Sequence, residues 1–358
     1  MAEMNGAESL VHTLLESGVE VCFTNPGTSE MHFVAALDHI PGMRSVLTLF
    51  EGVATGAADG YYRMARKPAS TLLHLGPGLA NGISNQHNAK KAGAGVVNIV
   101  GEHAASHLEL DAPLTADIEG LARPVSHWVH SAKSAADVGA DAARSVQAAS
   151  TAPGQVATLI LPSDTAWTDG GQVAAPLAPP VRVAPTAEGI ARAADALGGP
   201  ESLLLLGGEA LTVEGLEAAG KIAAQTGCAL LSEWSNARME RGAGRVPVAR
   251  VPYPIDQAVE VLAPFKRIVL VGARAPIGFF AYPGKPAVLT REGADIIHLA
   301  DWSADLQGTL DALCAATGAE AAQPEQAVRN PAATVSGPLN PDTIAAVLGR
   351  ISPKAPLS

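Results

Sequence analysis

Glu51 stands where a short apolar run, residues 46–50, meets a stretch in which Gly, Ala and Thr fill almost every position up to Asp59. The run reads as a buried strand. The stretch reads as a helix whose small side chains let it lie close against another surface. A carboxylate at that junction is partly desolvated and suited to sharing a proton inside an apolar pocket. It also reads as an ordinary acid in a first helical turn, favoured there by the helix dipole. His74 comes two residues before Gly76-Pro77-Gly78, at the end of a predicted strand over residues 70–75. A single strand histidine is either a satisfied core residue or a proton carrier. Thr28 follows Asn25-Pro26-Gly27, a turn that serves equally as a tight strand-to-helix connection with Thr28 or Ser29 as N-cap.

These residues need elements to hold them. Asn5 caps a predicted amphipathic helix with Leu10, Val11, Leu14 and Leu15 on its apolar stripe, and Gly18 ends it. Strands are predicted at 19–23, 96–100 and 155–162, and an Ala-rich helix at 135–149. Residues 168–185, rich in Pro, Gly and Ala and without periodicity, read as a linker. A second alternating unit follows, with helices at 187–197 and 213–226 and strands at 202–206, 229–232, 267–271 and 296–299. Such alternation implies parallel sheets joined by right-handed crossovers. Residues 323–337 read as a second linker, and Asn340-Pro341 opens a new helix.

Composition narrows the classes. The 358 residues are 47% hydrophobic and 16% charged, enough apolar material for two large cores. Aromatics are only 4% while Gly numbers 36, which suits close-packed α/β layers. A net charge of −11 without a Lys/Arg cluster argues against nucleic-acid binding. Cys22, Cys228 and Cys314 lack metal-ligand spacing, and Cys22 and Cys228 read as buried thiols, which fits a reducing cytoplasm. No basic start precedes an apolar core, and no apolar run approaches the ~20 residues of a membrane span.

The Phe23–Glu30 loop, Glu51 with its Gly-x-Ala-x-Gly-x-Ala-Asp-Gly-Tyr run and the Gly76–Gly78 turn, in that order along the chain, resemble the pyrimidine-binding domain of thiamine-diphosphate-dependent enzymes of the acetolactate synthase and benzoylformate decarboxylase family. The resemblance extends to residues 117–128, which it gives a packing role, and more weakly through the second unit. It implies α/β architecture with two doubly wound parallel-sheet domains: a pyrimidine domain at 1–167 and a Rossmann-like central domain at 186–322. The first helix of a diphosphate-binding domain would follow at 338–358.

By the same resemblance, Glu51 hydrogen-bonds the cofactor's aminopyrimidine, and the tautomer so favoured deprotonates the thiazolium carbon. Thr28 stands where relatives carry a substrate-facing serine, and His74 where the benzoylformate decarboxylase branch carries a proton-transferring histidine. Asn25, Pro26, Gly27, Gly78 and Asn81 would lie beside the cofactor. His87 and His103 sit near element ends and match no motif of the family.

The family's Gly-Asp-Gly, which holds Mg²⁺ and through it the diphosphate, is nowhere in the sequence. Thiamine diphosphate and Mg²⁺ are therefore expected to need a further domain, and no metal ligands are assigned here. The middle domain of acetolactate synthase holds FAD; without a recognisable motif, this one is read as structural, with FAD as the alternative. The implied reaction is decarboxylation of a 2-keto acid, with or without carboligation, in a homodimer or homotetramer. The leading expectation is the front part of a longer enzyme, inactive alone. A split-enzyme subunit and a non-catalytic binding or regulatory protein are the other readings.

Overall fold

The computed structural model describes residues 4–329 and 333–351. The expected second linker, 323–337, lies partly outside them, and the tail 352–358 wholly so.

Helix α1 (Gly6–Glu16) starts with a reciprocal cap: Asn5 Oδ1 accepts from Glu8 N at 2.9 Å, and Glu8 Oε2 accepts from Asn5 N at 2.9 Å. Then come β1 (Val21–Asn25), a 3-10 turn Thr28–Glu30, α2 (Met31–His39), β2 (Arg44–Leu47), α3 (Glu51–Ala65) and β3 (Ala69–Leu73). The first unit continues with α4 (Leu75–Ala92), β4 (Val96–Glu102), α5 (Ile118–Ala122), β5 (Trp128–Ser131), α6 (Ala135–Ser150), β6 (Val156–Pro162) and α7 (Ser163–Trp167). Its six strands are all parallel, in the order β2-β1-β3-β4-β6-β5.

Period-two alternation sends one side of each strand to each helix layer. Leu72, Val97, Ile99 and Leu159 pack under α1, α2 and α6, while Leu73, Val100 and Ile160 pack under α3, α4 and α5. The second unit comprises α8 (Ala187–Ala196), β7 (Ser202–Leu206), α9 (Val213–Thr226), β8 (Ala229–Ser232), β9 (Ala249–Arg250), α10 (Ile255–Leu262), β10 (Arg267–Val271), β11 (Asp295–Ala300) and α11 (Leu306–Ala316). Its parallel sheet runs β11-β10-β7-β8-β9. Leu204 and Leu206 face α9 and α11, and Leu203 and Leu205 face α10. A fully buried leucine contributes about 1.5–3 kcal/mol. An exposed pair such as Lys266–Glu201 is screened by solvent and contributes much less. The sheets therefore hold these units together, and the surface ions do not.

Helix α12 (Pro341–Ile351) is capped as predicted, Thr343 N donating to Asn340 Oδ1 at 2.9 Å. Among the described residues no helix is long and apolar enough to cross a membrane. All three cysteines are buried and unpaired.

Two local expectations fail. The run 46–50 is not a buried strand: β2 ends at Leu47 on the sheet edge, and Leu47, Leu49 and Phe50 are 71%, 94% and 48% exposed. An edge strand has a neighbour on one side only, so its apolar residues need not be covered. Gly76-Pro77-Gly78 is not a turn but the first turn of α4. Leu75, in the left-handed conformation (φ 52°), makes the reversal instead.

Candidate active site at the carboxyl edge of the first sheet

Parallel strands bring their carboxyl ends to one edge, and the strand order reverses between β1 and β3, the place where sheets of this kind bind ligands. The ends of β1, β2 and β3 carry Asn25, Glu51 and His74 to that edge. Asn25 Nδ2 donates to Thr48 O at 2.8 Å, and Thr48 N donates to Thr24 O at 2.9 Å. These bonds tie the β2–α3 connection to β1 and so fix where α3 begins.

Glu51 is the first residue of α3 and only 9% exposed. Asn81 Nδ2, on α4, donates to its Oε2 at 3.0 Å. Its Oε1 receives no hydrogen bond among the described residues and lies against Gly78, where a Cβ would come within 3.2 Å of it. The small residues predicted to allow close approach do so between α3 and α4. Asn85 Nδ2 donates to Gly52 O at 2.7 Å, and Thr55 Oγ1 to Gly82 O at 3.1 Å. A Cβ on Gly82 would lie 2.9 Å from the Thr55 methyl. Larger side chains at these positions would push Asn81 away from Glu51.

His74 directly precedes α4 and is no sealed core residue: its side chain is 23% exposed. Its Nδ1 lies 2.8 Å from Glu30 Oε2, which also accepts from Gly27 N at 2.7 Å. Glu30 is 2% exposed, and its Oε1 is buried without a partner against Gly101. With Glu30 ionised, Nδ1 carries the proton and Nε2 is left as an acceptor. Two glycines make room for the pair. A Cβ on Gly27 would lie 2.3 Å from His74 Nδ1, and one on Gly101 would overlap Glu30 Oε1 at 1.6 Å. Gly78 joins the two centres, since its Cβ would also meet His74 Cβ at 3.3 Å.

The sequence reading missed Glu30. Its signal was the spacing of a capping box, an acid three residues after Gly27. Also missed was Glu102, buried at the end of β4, whose carboxyl is raised by that burial although His103 N donates to it. Thr28 is exposed at the start of the 3-10 turn, between Gly27 and the Glu30 that holds His74. His87 lies exposed in the middle of α4, away from the edge. His103 follows β4 at the same edge, its ring 5.6 Å from that of His107 and its Nε2 buried without a partner.

The residues fit one half of a thiamine diphosphate. A largely desolvated carboxylate with one oxygen anchored and one open, beside a backbone cleared of side chains at Gly78, suits a protonatable ring nitrogen. Phe50 and Val53 add apolar surface, 48% and 56% exposed. Among the described residues no three His, Cys, Asp or Glu side chains converge on a metal-sized site.

Residues 4–127 match the thiamine pyrophosphate enzyme N-terminal TPP binding domain. The chain is 50% identical over 317 residues to IlvX of Mycobacterium tuberculosis, a protein named for an acetolactate synthase large subunit; the match covers 87% of this chain and 59% of IlvX. It is 31% identical over 152 residues to the benzoylformate decarboxylase of Pseudomonas aeruginosa, covering 42% of this chain and 28% of that one. The fold matches the benzoylformate decarboxylase of Polynucleobacter necessarius with a TM-score of 0.78 at 21% identity, over 98% of this chain and 69% of that one. The chain spans less than two thirds of the length of these curated relatives.

Proposed function

We propose that this chain is the pyrimidine-side part of a thiamine-diphosphate-dependent enzyme that decarboxylates a 2-keto acid. It would be a lyase if the product leaves as an aldehyde, and a transferase if the carbon passes to a second carbonyl compound. The observation that carries the reading is the Glu51 carboxylate, anchored by Asn81 through Oε2 and open at Oε1 against Gly78.

Bound thiamine diphosphate would supply a nucleophilic carbon and a sink for the electron pair left behind when CO₂ departs. Glu51 Oε1 holds the proton shared with the aminopyrimidine, and its burial keeps water from competing for it. Asn81 keeps the carboxylate from turning away. His74, oriented by Glu30 through Nδ1, moves protons at Nε2 to and from the reacting substrate. The Thr28 hydroxyl is a donor for the substrate carboxylate. Asn25, Pro26, Gly27 and Gly78 line the cofactor side of the crevice.

The diphosphate grip and its Mg²⁺ would come from a further domain or another chain. A second copy is the natural cover for the exposed Leu47, Leu49, Phe50 and Val53 around Glu51, so a homodimer or larger homo-oligomer is part of the proposal.

The test is CO₂ release from a panel of 2-keto acids, benzoylformate and pyruvate included, with thiamine diphosphate and Mg²⁺. It is run on freshly extracted protein whose intact mass reports any longer form or companion chain. Turnover that disappears in Glu51→Gln supports the reading; turnover unchanged in that variant removes it.

A further inference from the structure

At the other end of α3 from Glu51, a cavity of about 210 Å³ opens between the two domains. Arg63 and Arg66, in and just beyond the last turn of α3, line it from the first domain; Arg182, Glu209, Arg238 and Glu240 face them. The domains are tied beside it, Arg63 Nη1 donating to Ala237 O at 3.2 Å and Arg238 Nη1 to Arg63 O at 3.2 Å.

In a chain of net charge −11, the guanidiniums of Arg63, Arg66, Arg182 and Arg238 pair here, among the described residues, with the carboxylates of Asp59, Glu209 and Glu240, and Asp305 also acts on Arg182 through space. Three of the arginines are engaged. Arg63 grips Asp59 through Nε and Nη2 at 2.8 and 2.7 Å, Arg182 pairs with Glu209, and Arg238 reaches Glu240 at 3.0 Å. Arg66 is the exception. Its nearest carboxylate oxygen, Glu240 Oε1, is 3.8 Å away and already taken by Arg238, and it makes no side-chain hydrogen bond among the described residues.

Its backbone makes the same point. Arg66 caps α3 in the left-handed conformation, φ 55°, where glycine is the favoured residue. A half-exposed guanidinium on a strained backbone, lining a cavity with its carboxylate partner no closer than 3.8 Å, is a reason to look for an acceptor there. Trp302 and Pro153 supply apolar wall. We propose that this interdomain cavity binds a small organic anion, a carboxylate or phosphate received by Arg66 with its apolar body against Trp302. Such a ligand would fasten the carboxyl end of α3 to the second domain, about 21 Å along one rigid helix from Glu51. The proposal does not depend on the reading of the Glu51 site.

The experiment is calorimetric titration of the protein with inorganic phosphate and, separately, with succinate, at ionic strength held constant with chloride, followed also by the change in tryptophan fluorescence that is lost in Trp302→Phe. The expected result is saturable one-site binding of at least one anion, weakened about tenfold or more in Arg66→Gly. That variant removes the guanidinium while relieving the backbone, so its thermal midpoint without anion should be unchanged or higher. Arg144→Gln, on the distant α6, should bind as the unaltered protein does. Binding of phosphate alone or succinate alone identifies the anion class. Absence of saturable binding, or equal binding by Arg66→Gly, overturns the proposal.

Discussion

The imidazole Nδ1 of His74 lies 2.8 Å from the buried carboxylate of Glu30, on a 3-10 turn 44 residues earlier in the chain. An acceptor-only partner dictates which ring nitrogen holds the proton. Long-range ¹H–¹⁵N spectra should therefore show His74 as the Nδ1–H tautomer at neutral pH. In Glu30→Ala the two tautomers should mix, and, on the proposed function, turnover should fall by about 10–100-fold. An unchanged tautomer in that variant would mean that something other than Glu30 holds the ring.

The glycines around that pair are sites of steric exclusion. Gly27→Ala and Gly101→Ala each place a methyl inside the van der Waals radius of the His74–Glu30 pair. Each should cost about 1–3 kcal/mol in denaturant unfolding. Gly60→Ala, with nothing near its Cβ on the same helix as Glu51, should be neutral or slightly stabilising. Equal effects at all three positions would contradict the steric account.

Asn81 anchors Glu51 by one hydrogen bond of 3.0 Å. Asn81→Ala leaves the carboxylate free to rotate, and Asn81→Asp sets a like charge against it. On the proposed function, decarboxylation should drop in both, more in the aspartate variant, with kcat affected more than the KM of the keto acid. A change confined to KM would place Asn81 on the substrate side instead.

Glu233, at the end of β8, has its carboxyl pushed up to about 7 by burial, partly offset by the backbone N–H and guanidinium of Arg274. The folded value lies above the unfolded 4.5, so the folded state binds the extra proton and stability falls as pH rises between them. The full effect is about 3 kcal/mol at most, present below pH 4.5 and lost as pH passes through about 7. Unfolding free energies at pH 5, 6 and 7.5 should decline in the unaltered protein and decline less in Glu233→Gln. Parallel slopes would rule Glu233 out as the source.

Burial raises the Cys22 thiol to about 12. Iodoacetamide should leave it unmodified at pH 8 in the native protein and label it promptly in guanidinium chloride. Rapid native labelling would show that β1 opens.

Much of this was legible in the chain itself. The leucine run of β7, the cap of α1 by Asn5 and the start of α12 at Pro341 are local patterns, and each element formed where its pattern fell. The Gly/Ala/Thr spacing after Glu51 likewise announced a helix packed closely on a neighbour. Exposure of residues 46–50 was not legible, because an apolar run looks the same at a sheet's edge as at its centre. Nor was the fate of Gly76-Pro77-Gly78, because the reversal falls on Leu75, whose side chain gives no sign of it.

By itself the sequence determined the α/β class, the alternation of elements and Glu51 as the acid at the head of α3, since these depend on neighbours within a turn or two of chain. Only the tertiary structure decided that Asn81 holds Glu51, that Glu30 holds His74, and that Arg66 meets the second domain across a cavity. The first two partners lie 30 and 44 residues apart, and strand order alone sets which loops meet at the sheet's edge. No periodicity in the chain records that order, because it is fixed by how two buried sheets and their helices pack.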